Sequence, residues 1–277
     1  MRRMRGIPAS LLPGLLPGLL MGLALCGAAT GAAAQDREGG TVQVKAARDP
    51  EMHSYRAISA GLDTFDAKHA LAPDAPLLFQ ARTRAGKPLD AALLAGDAGS
   101  DPLGAVLAGD DGYALRLALD AEGRFQVPRS QPAWDANAEL RLSKKRSAVR
   151  VWPSVRSPGL LDNQRRLGDI RLECQVFVAI AKKEAPLHIV LLGNAIMLGS
   201  DWCAFMKNSD NAWDATTPGM LRGATLRDGQ RSLALRVKDT RVEVPIGDTS
   251  WSNDAIVELA FAPSDAPSHP SPKDAAP

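Results

Sequence analysis

Beyond residue 48 the apolar positions first follow a helical rhythm. Met52, Tyr55, Ile58, Leu62, Phe65 and His69 recur at three- and four-residue steps, an amphipathic stripe of about five turns. Asp49-Pro50-Glu51 supplies its start: Asp caps, Pro suits the first turn, and Glu meets the positive end of the helix. Gly61 weakens the helix locally, and Pro73 and Pro76 end it. From Leu77 the period becomes two. Residues 77–83, 103–107, 113–119, 124–127, 139–142 and 149–152 read as short strands, fenced by turns such as Gly86-Lys87-Pro88 and Asp120-Ala121-Glu122-Gly123.

The clearest alternation spans residues 169–181. Ile170, Leu172, Cys174, Val176, Val178 and Ile180 fall on one side, and Arg171, Glu173 and Gln175 on the other, which predicts a strand with Cys174 turned inward. Residues 189–192 form an apolar run too short to assign. A meander follows at residues 221–227, 232–238, 241–246 and 256–261, its first turn marked by Asp228-Gly229. The predicted fold is mainly β: an antiparallel sandwich plus a second β-rich unit, with one N-terminal amphipathic helix. The last 15 residues, from Pro263, hold five prolines and no apolar pattern, so they are predicted to be disordered.

Export changes the chemistry to look for. Arg2, Arg3 and Arg5 precede an uncharged run over residues 7–34 that closes on Ala32-Ala33-Ala34, the three parts of a secretory signal peptide. The expected mature chain is periplasmic or secreted and lacks a transmembrane segment. Alternatives are a retained anchor, or a lipid attached at Cys26 after Leu23-Ala24-Leu25. Removing the three arginines leaves 30 basic residues against 31 acidic, a near-neutral chain with no whole-protein case for nucleic acid. Cys174 and Cys203 then form a disulfide candidate across a loop of about 29 residues, worth roughly 3–4 kcal/mol; separate buried thiols are the alternative. The expected organisation is a signal at 1–34, leader and helix at 35–76, the sandwich at 77–184, the second unit at 185–262 and the tail at 263–277.

Residues 86–125 open on Gly-Lys-Pro-Leu and close on Leu119-Asp-Ala-Glu-Gly-Arg-Phe125. This string resembles carboxypeptidase-regulatory-like modules, which are transthyretin-like β-sandwiches. A wider pattern resembles a family of uncharacterised exported bacterial proteins. It comprises Ser157-Pro158-Gly159-Leu160, the run Arg165-Arg-Leu-Gly-Asp-Ile-Arg-Leu-Glu-Cys174, and residues 248–259. The resemblances imply export and a β-rich fold. They imply no activity, because such modules serve as scaffolds or adhesion units.

No catalytic or cofactor motif emerges. Phosphate-loop glycines and the G-x-S-x-G elbow are missing, and the four histidines (His53, His69, His188, His269) are not paired at metal-binding spacing, so neither cofactor nor metal is expected. Asp97, Asp101, Asp110 and Asp111 lack the spacing of a calcium loop. One charge asymmetry stands out: residues 141–171 hold nine basic side chains against Asp162 and Asp169. Within it, Lys144, Lys145, Arg146, Arg150, Arg165 and Arg166 are the candidate anion-binding surface, for an envelope protein, an acidic glycan or a lipid headgroup; the alternative is a set of solvated strand faces. Charge reversal at Arg165 and Arg166 is expected to spare folding. Trp202, Trp213 and Trp251 are candidates for stacking on sugars. The reading is a non-enzymatic envelope protein acting through surfaces. Its rivals are a periplasmic hydrolase with a site between the two β units, and a carbohydrate-binding module.

Overall fold

The computed structural model of the chain describes residues 49–96, 101–208 and 210–263. The signal segment, Cys26, the leader to Lys45, Asp97 and the tail beyond Pro263 lie outside the described residues. Among the described residues the protein is mainly β, with fourteen strands in four antiparallel sheets.

The helix starts later than its sequence signals place it. Pro50–Ser54 is strand β1, and α1 runs Tyr55–Lys68. Ser54 is the cap, its side chain accepting from the Ala57 amide at 3.1 Å. Asp49 takes a left-handed φ of 58°. Met52 pairs across the ladder with Arg141 instead of joining the helical stripe. Pairing with a long neighbouring strand outweighs a local Asp-Pro-Glu cap. Pro50 is tolerated because it opens an edge strand.

The strands that follow are β2 (Leu77–Thr83), β3 (Ala105–Ala108), β4 (Ala114–Leu117), β5 (Arg124–Phe125), β6 (Glu139–Lys145) and β7 (Val149–Val155). Short helices α2 (Ala91–Ala95) and α3 (Gln131–Asp135) interrupt them. One sheet has the order β1-β6-β3-β4 and another β5-β2-β7. Both line a common core with α1, holding Ile58, Phe79, Leu107, Phe125, Leu140, Val149 and Val155. Lys144 and Lys145 end β6, and the turn at residues 146–148 carries the chain from the first sheet to the second, so β6 and β7 are not a hairpin.

Residues 169–181 are not a strand. After β8 (Gln164–Arg166), Leu167–Glu184 forms helix α4. Leu172, Val176 and Ile180 enter the first core, while Ile170, Cys174 and Val178 enter a second. Each set is an i, i+4, i+8 stripe. The two stripes are offset by two residues, about 200° around the helix, so they face opposite ways. Overlaid in sequence, they imitate the period of a strand. Against α1 the approach is close: a Cβ on Gly61 would sit 2.7 Å from the Ile180 side chain.

Helix α5 (Leu187–Ile196) takes up the unassigned apolar run. Then come β9 (Trp213–Thr216), β10 (Leu221–Asp228), β11 (Arg231–Leu235), β12 (Val237–Lys238), β13 (Arg241–Val244) and β14 (Ile256–Phe261). The Asp228-Gly229 turn joins β10 to β11 as its sequence predicts, with Gly229 at φ 59°. These strands make the sheets β11-β10-β14-β8 and β12-β13-β9 over the second core, which buries Leu226, Val242, Val244, Trp251 and Val257. The Cys174–Cys203 disulfide is formed, with Cα atoms 6.1 Å apart, and both cysteines are buried in that core. The expected division after Glu184 falls at the end of α4, whose residues serve both cores.

Two buried acids on α4 grip the end of β7. Glu173 accepts from the Val155 amide at 2.9 Å, and Asp169 accepts from the amide and hydroxyl of Ser157, each at 2.7 Å. Asp169 sits in the first helical turn, where the helix dipole favours its charge.

Candidate functional site

The polar face of β2 and β7 is the place where charge collects. Phe79 and Ala81 point into the first core, so Gln80 and Arg82 point out. On β7, Val149, Val151 and Val155 are buried and Arg150, Trp152 and Ser154 face the other way. The register sets Gln80 opposite Trp152 and Arg82 opposite Arg150. Two like charges paired across an antiparallel ladder are unfavourable. Nothing in the packing of the sheet requires that pair.

Three neighbouring cavities that share lining residues lie along this face and together are called the trough. The first, about 520 Å³, is lined by Glu51, His53, Phe79, Arg84, Arg146, Arg150, Trp152, Phe177 and Glu184, among others. It meets a middle compartment of about 300 Å³ at Arg84, Arg150 and Trp152; Asp214, Thr216 and Arg241 form the far wall there. Arg82, Gly86 and Thr216 lead on to the third, about 480 Å³, which adds Arg124, Arg156, Asp162 and Arg165. Along its length the trough has eight arginines against five acidic side chains. Four of the arginines (Arg82, Arg84, Arg150, Arg156) have no carboxylate within ion-pair distance among the described residues. Arg84 donates only to the Arg146 carbonyl at 3.4 Å, and Arg156 only to the carbonyls of Leu160, Leu161 and Gln164.

The deep end is electrostatically unbalanced. Burial pulls Arg82 below its ordinary pKa; Glu173 opposes this and Arg165 adds to it. Arg165 holds Glu173 at 2.8 Å, yet its buried Nε has no hydrogen-bond partner. Burial lowers Arg156 too, with Arg165 again contributing. Cations held this close, with one buried donor unsatisfied, form a standing demand for an anion.

At the opposite end His53 lies between Glu184, 2.8 Å from Nδ1, and Glu51, 3.2 Å from Nε2. Burial disfavours the imidazolium, but hydrogen bonds and charge from Glu184 and Glu51 override it and raise the pKa from 6.5 to about 9. The same bond and charge, working against burial, hold the Glu51 carboxyl below its usual value. His53 is thus a charged strut with both ring nitrogens committed. It is not a base poised near neutrality. The neighbouring wall is aromatic: Trp152 stacks on Phe177 at 4.4 Å, and Trp213 lies 6.0 Å from Trp152.

The six basic residues singled out in the sequence do not form one surface. Arg146 and Arg150 line the first compartment and Arg165 the third. Arg166 is turned to Asp254 and the Leu71 carbonyl. Lys144 donates to the Asp101 carbonyl, and Lys145 pairs with Pro50 at the sheet edge. Reversing Arg165 and Arg166 would therefore strand buried Glu173 and unlatch Asp254, contrary to the expectation that folding is spared. Of the tryptophans, Trp213 and Trp251 are buried core residues, while Trp202 is half-buried beneath Lys182. Among the described residues no group of His, Cys, Asp and Glu is arranged to hold a metal ion. Sequence reasoning missed Arg82, Arg84, Glu51 and His53. The Gln80-Arg82-Arg84 alternation on a strand was a visible signal; its like-charged partner, 68 positions from Arg82, was not.

No family model matches the chain, and no curated protein or solved structure matches it either.

Proposed function

We propose that this chain is an exported, non-enzymatic envelope protein that holds an acidic glycan in the arginine-lined trough. The observation that carries the reading is the facing pair Arg82 and Arg150, two cations without a carboxylate at the centre of an elongated cleft. An extended polyanion would be met by guanidinium groups along its whole length, with Trp152 available to a sugar ring. The oxidised Cys174–Cys203 pair supports export. The sheets of four and three strands around one core support a transthyretin-like sandwich over β2–β7, extended at its edge by β1.

Titration calorimetry with an oligogalacturonate, against neutral dextran as control, tests the reading. Arg84→Glu with Arg150→Glu should weaken binding by about tenfold or more. Neither side chain supports the core, so thermal unfolding should stay near wild type. Equal affinity for dextran, or an unmoved affinity in the double variant, would refute the assignment.

The hydrolase reading draws on one observation, the convergence of Glu51, His53 and Glu184 on a cavity. Mutual neutralisation of the three argues against it. Release of reducing ends from the same oligosaccharide, lost in Glu184→Gln, would favour it over simple binding.

A further inference from the structure

We infer that helix α5 is an interfacial anchor that lies in the surface of an anionic lipid bilayer. The inference is independent of the trough. A surface helix normally turns its polar side to water. Here the inward positions are Val190, Gly193, Asn194 and Met197, held through Trp202, whose Nε1 donates to Asn194 at 2.9 Å. Apart from His188 the outward positions are apolar: Leu187, Leu191, Leu192 and Ile196 are each more than half exposed, and α5 buries no residue. From Ala185 to Ser200 there is no Asp, Glu, Lys or Arg.

Leu198 makes the point most sharply. It closes the helix at a left-handed φ of 54°, where glycine or asparagine is usual, and is 88% exposed. A leucine in a strained position with nothing to bury it is explained by a surface that covers it. The foot of the helix supplies the rest of an interfacial design. Lys182 and Lys183 lie in the last turn of α4 and Lys182 lies over the Trp202 ring at 4.5 Å, while Lys68 is neutralised by Asp201 just past α5. Lys183 has no partner among the described residues. Lysines and an amphipathic tryptophan around an apolar patch match an anionic headgroup layer over acyl chains. Lys182, which donates to the Ser200 carbonyl, and Lys183 stand at the foot of the patch, and this is the charge that an anionic headgroup would meet. Ten residues of helix, about 15 Å, are too short to span a bilayer, so α5 lies along it. The disulfide closes the loop that carries α5 and fixes its base to the second core.

Hydrogen exchange of the full chain, with and without phosphatidylglycerol vesicles, reads α5 directly, whatever its other segments do. Amides of residues 187–198 should exchange about tenfold more slowly on these vesicles. Leu191→Asp with Leu192→Asp should abolish that protection; both side chains are largely exposed, so the disulfide and the unfolding temperature should be retained. No protection on vesicles overturns the inference, as does equal protection on phosphatidylcholine. Protection that grows with protein concentration in the absence of lipid would assign the patch to a second copy and overturn it as well.

Discussion

His53 shows how a single side chain can set a pH dependence. Its folded pKa, about 9, lies above the ordinary 6.5, so its stabilisation is complete below about pH 6.5 and disappears as pH rises through 9. The displacement corresponds to at most about 3 kcal/mol, less whatever solvent reaches Glu184. Urea midpoints should therefore fall between pH 6.5 and 9 in the wild type and stay level in His53→Gln; parallel curves would show that the strut is energetically idle. Arg150 behaves in the opposite sense. Relieving its repulsion with Arg82 through Arg150→Gln should raise stability by about 0.2–1 kcal/mol in low salt while weakening glycan binding. A residue whose removal stabilises the fold and impairs binding is kept for the binding.

At the level of elements, α4 organises the molecule. It gives one stripe to each core, and its Asp169 and Glu173 hold the end of β7. Gly168 in its first turn admits no side chain, because a Cβ there would lie 2.0 Å from the Leu71 carbonyl oxygen. Gly168→Ala should cost about 3 kcal/mol or more, measured by thermal unfolding, since backbone cannot yield as a side-chain tip can. Gly61→Ala meets the Ile180 and Val176 side chains and no backbone, and should cost less. The disulfide belongs at this scale too: Cys174→Ser with Cys203→Ser should lower stability by roughly 3–4 kcal/mol, with a larger loss of exchange protection in α5 than in β2. Uniform loss across the chain would mean that the bridge stabilises the whole body and not the α5 excursion.

For the whole molecule, the trough depends on two β layers meeting over α4. Its floor comes from β2 and β7 and its far wall from β9 and β13, elements more than 50 residues apart in sequence. Because half of its arginines have no carboxylate partner among the described residues, glycan affinity should fall steeply from about 0.05 to about 0.5 M salt, whereas stability should change little. A salt-independent affinity would place the ligand on the aromatic wall and not on the cations.

Most strand positions, the Asp228-Gly229 hairpin, the cysteine pair and the basic bias of residues 141–171 were written in local pattern. Alternation, turn chemistry and residue counting depend on near neighbours alone. Tertiary structure decided the rest. Residues 169–181 became a helix because two apolar cores flank them, and a chain buried on opposite faces loses the one-sided period that marks a helix. Pro50–Ser54 became a strand because β6 offered a ladder. The arginines of residues 141–171 parted company, and Arg82 met Arg150, because cross-strand register is a non-local pairing that no sequence window contains.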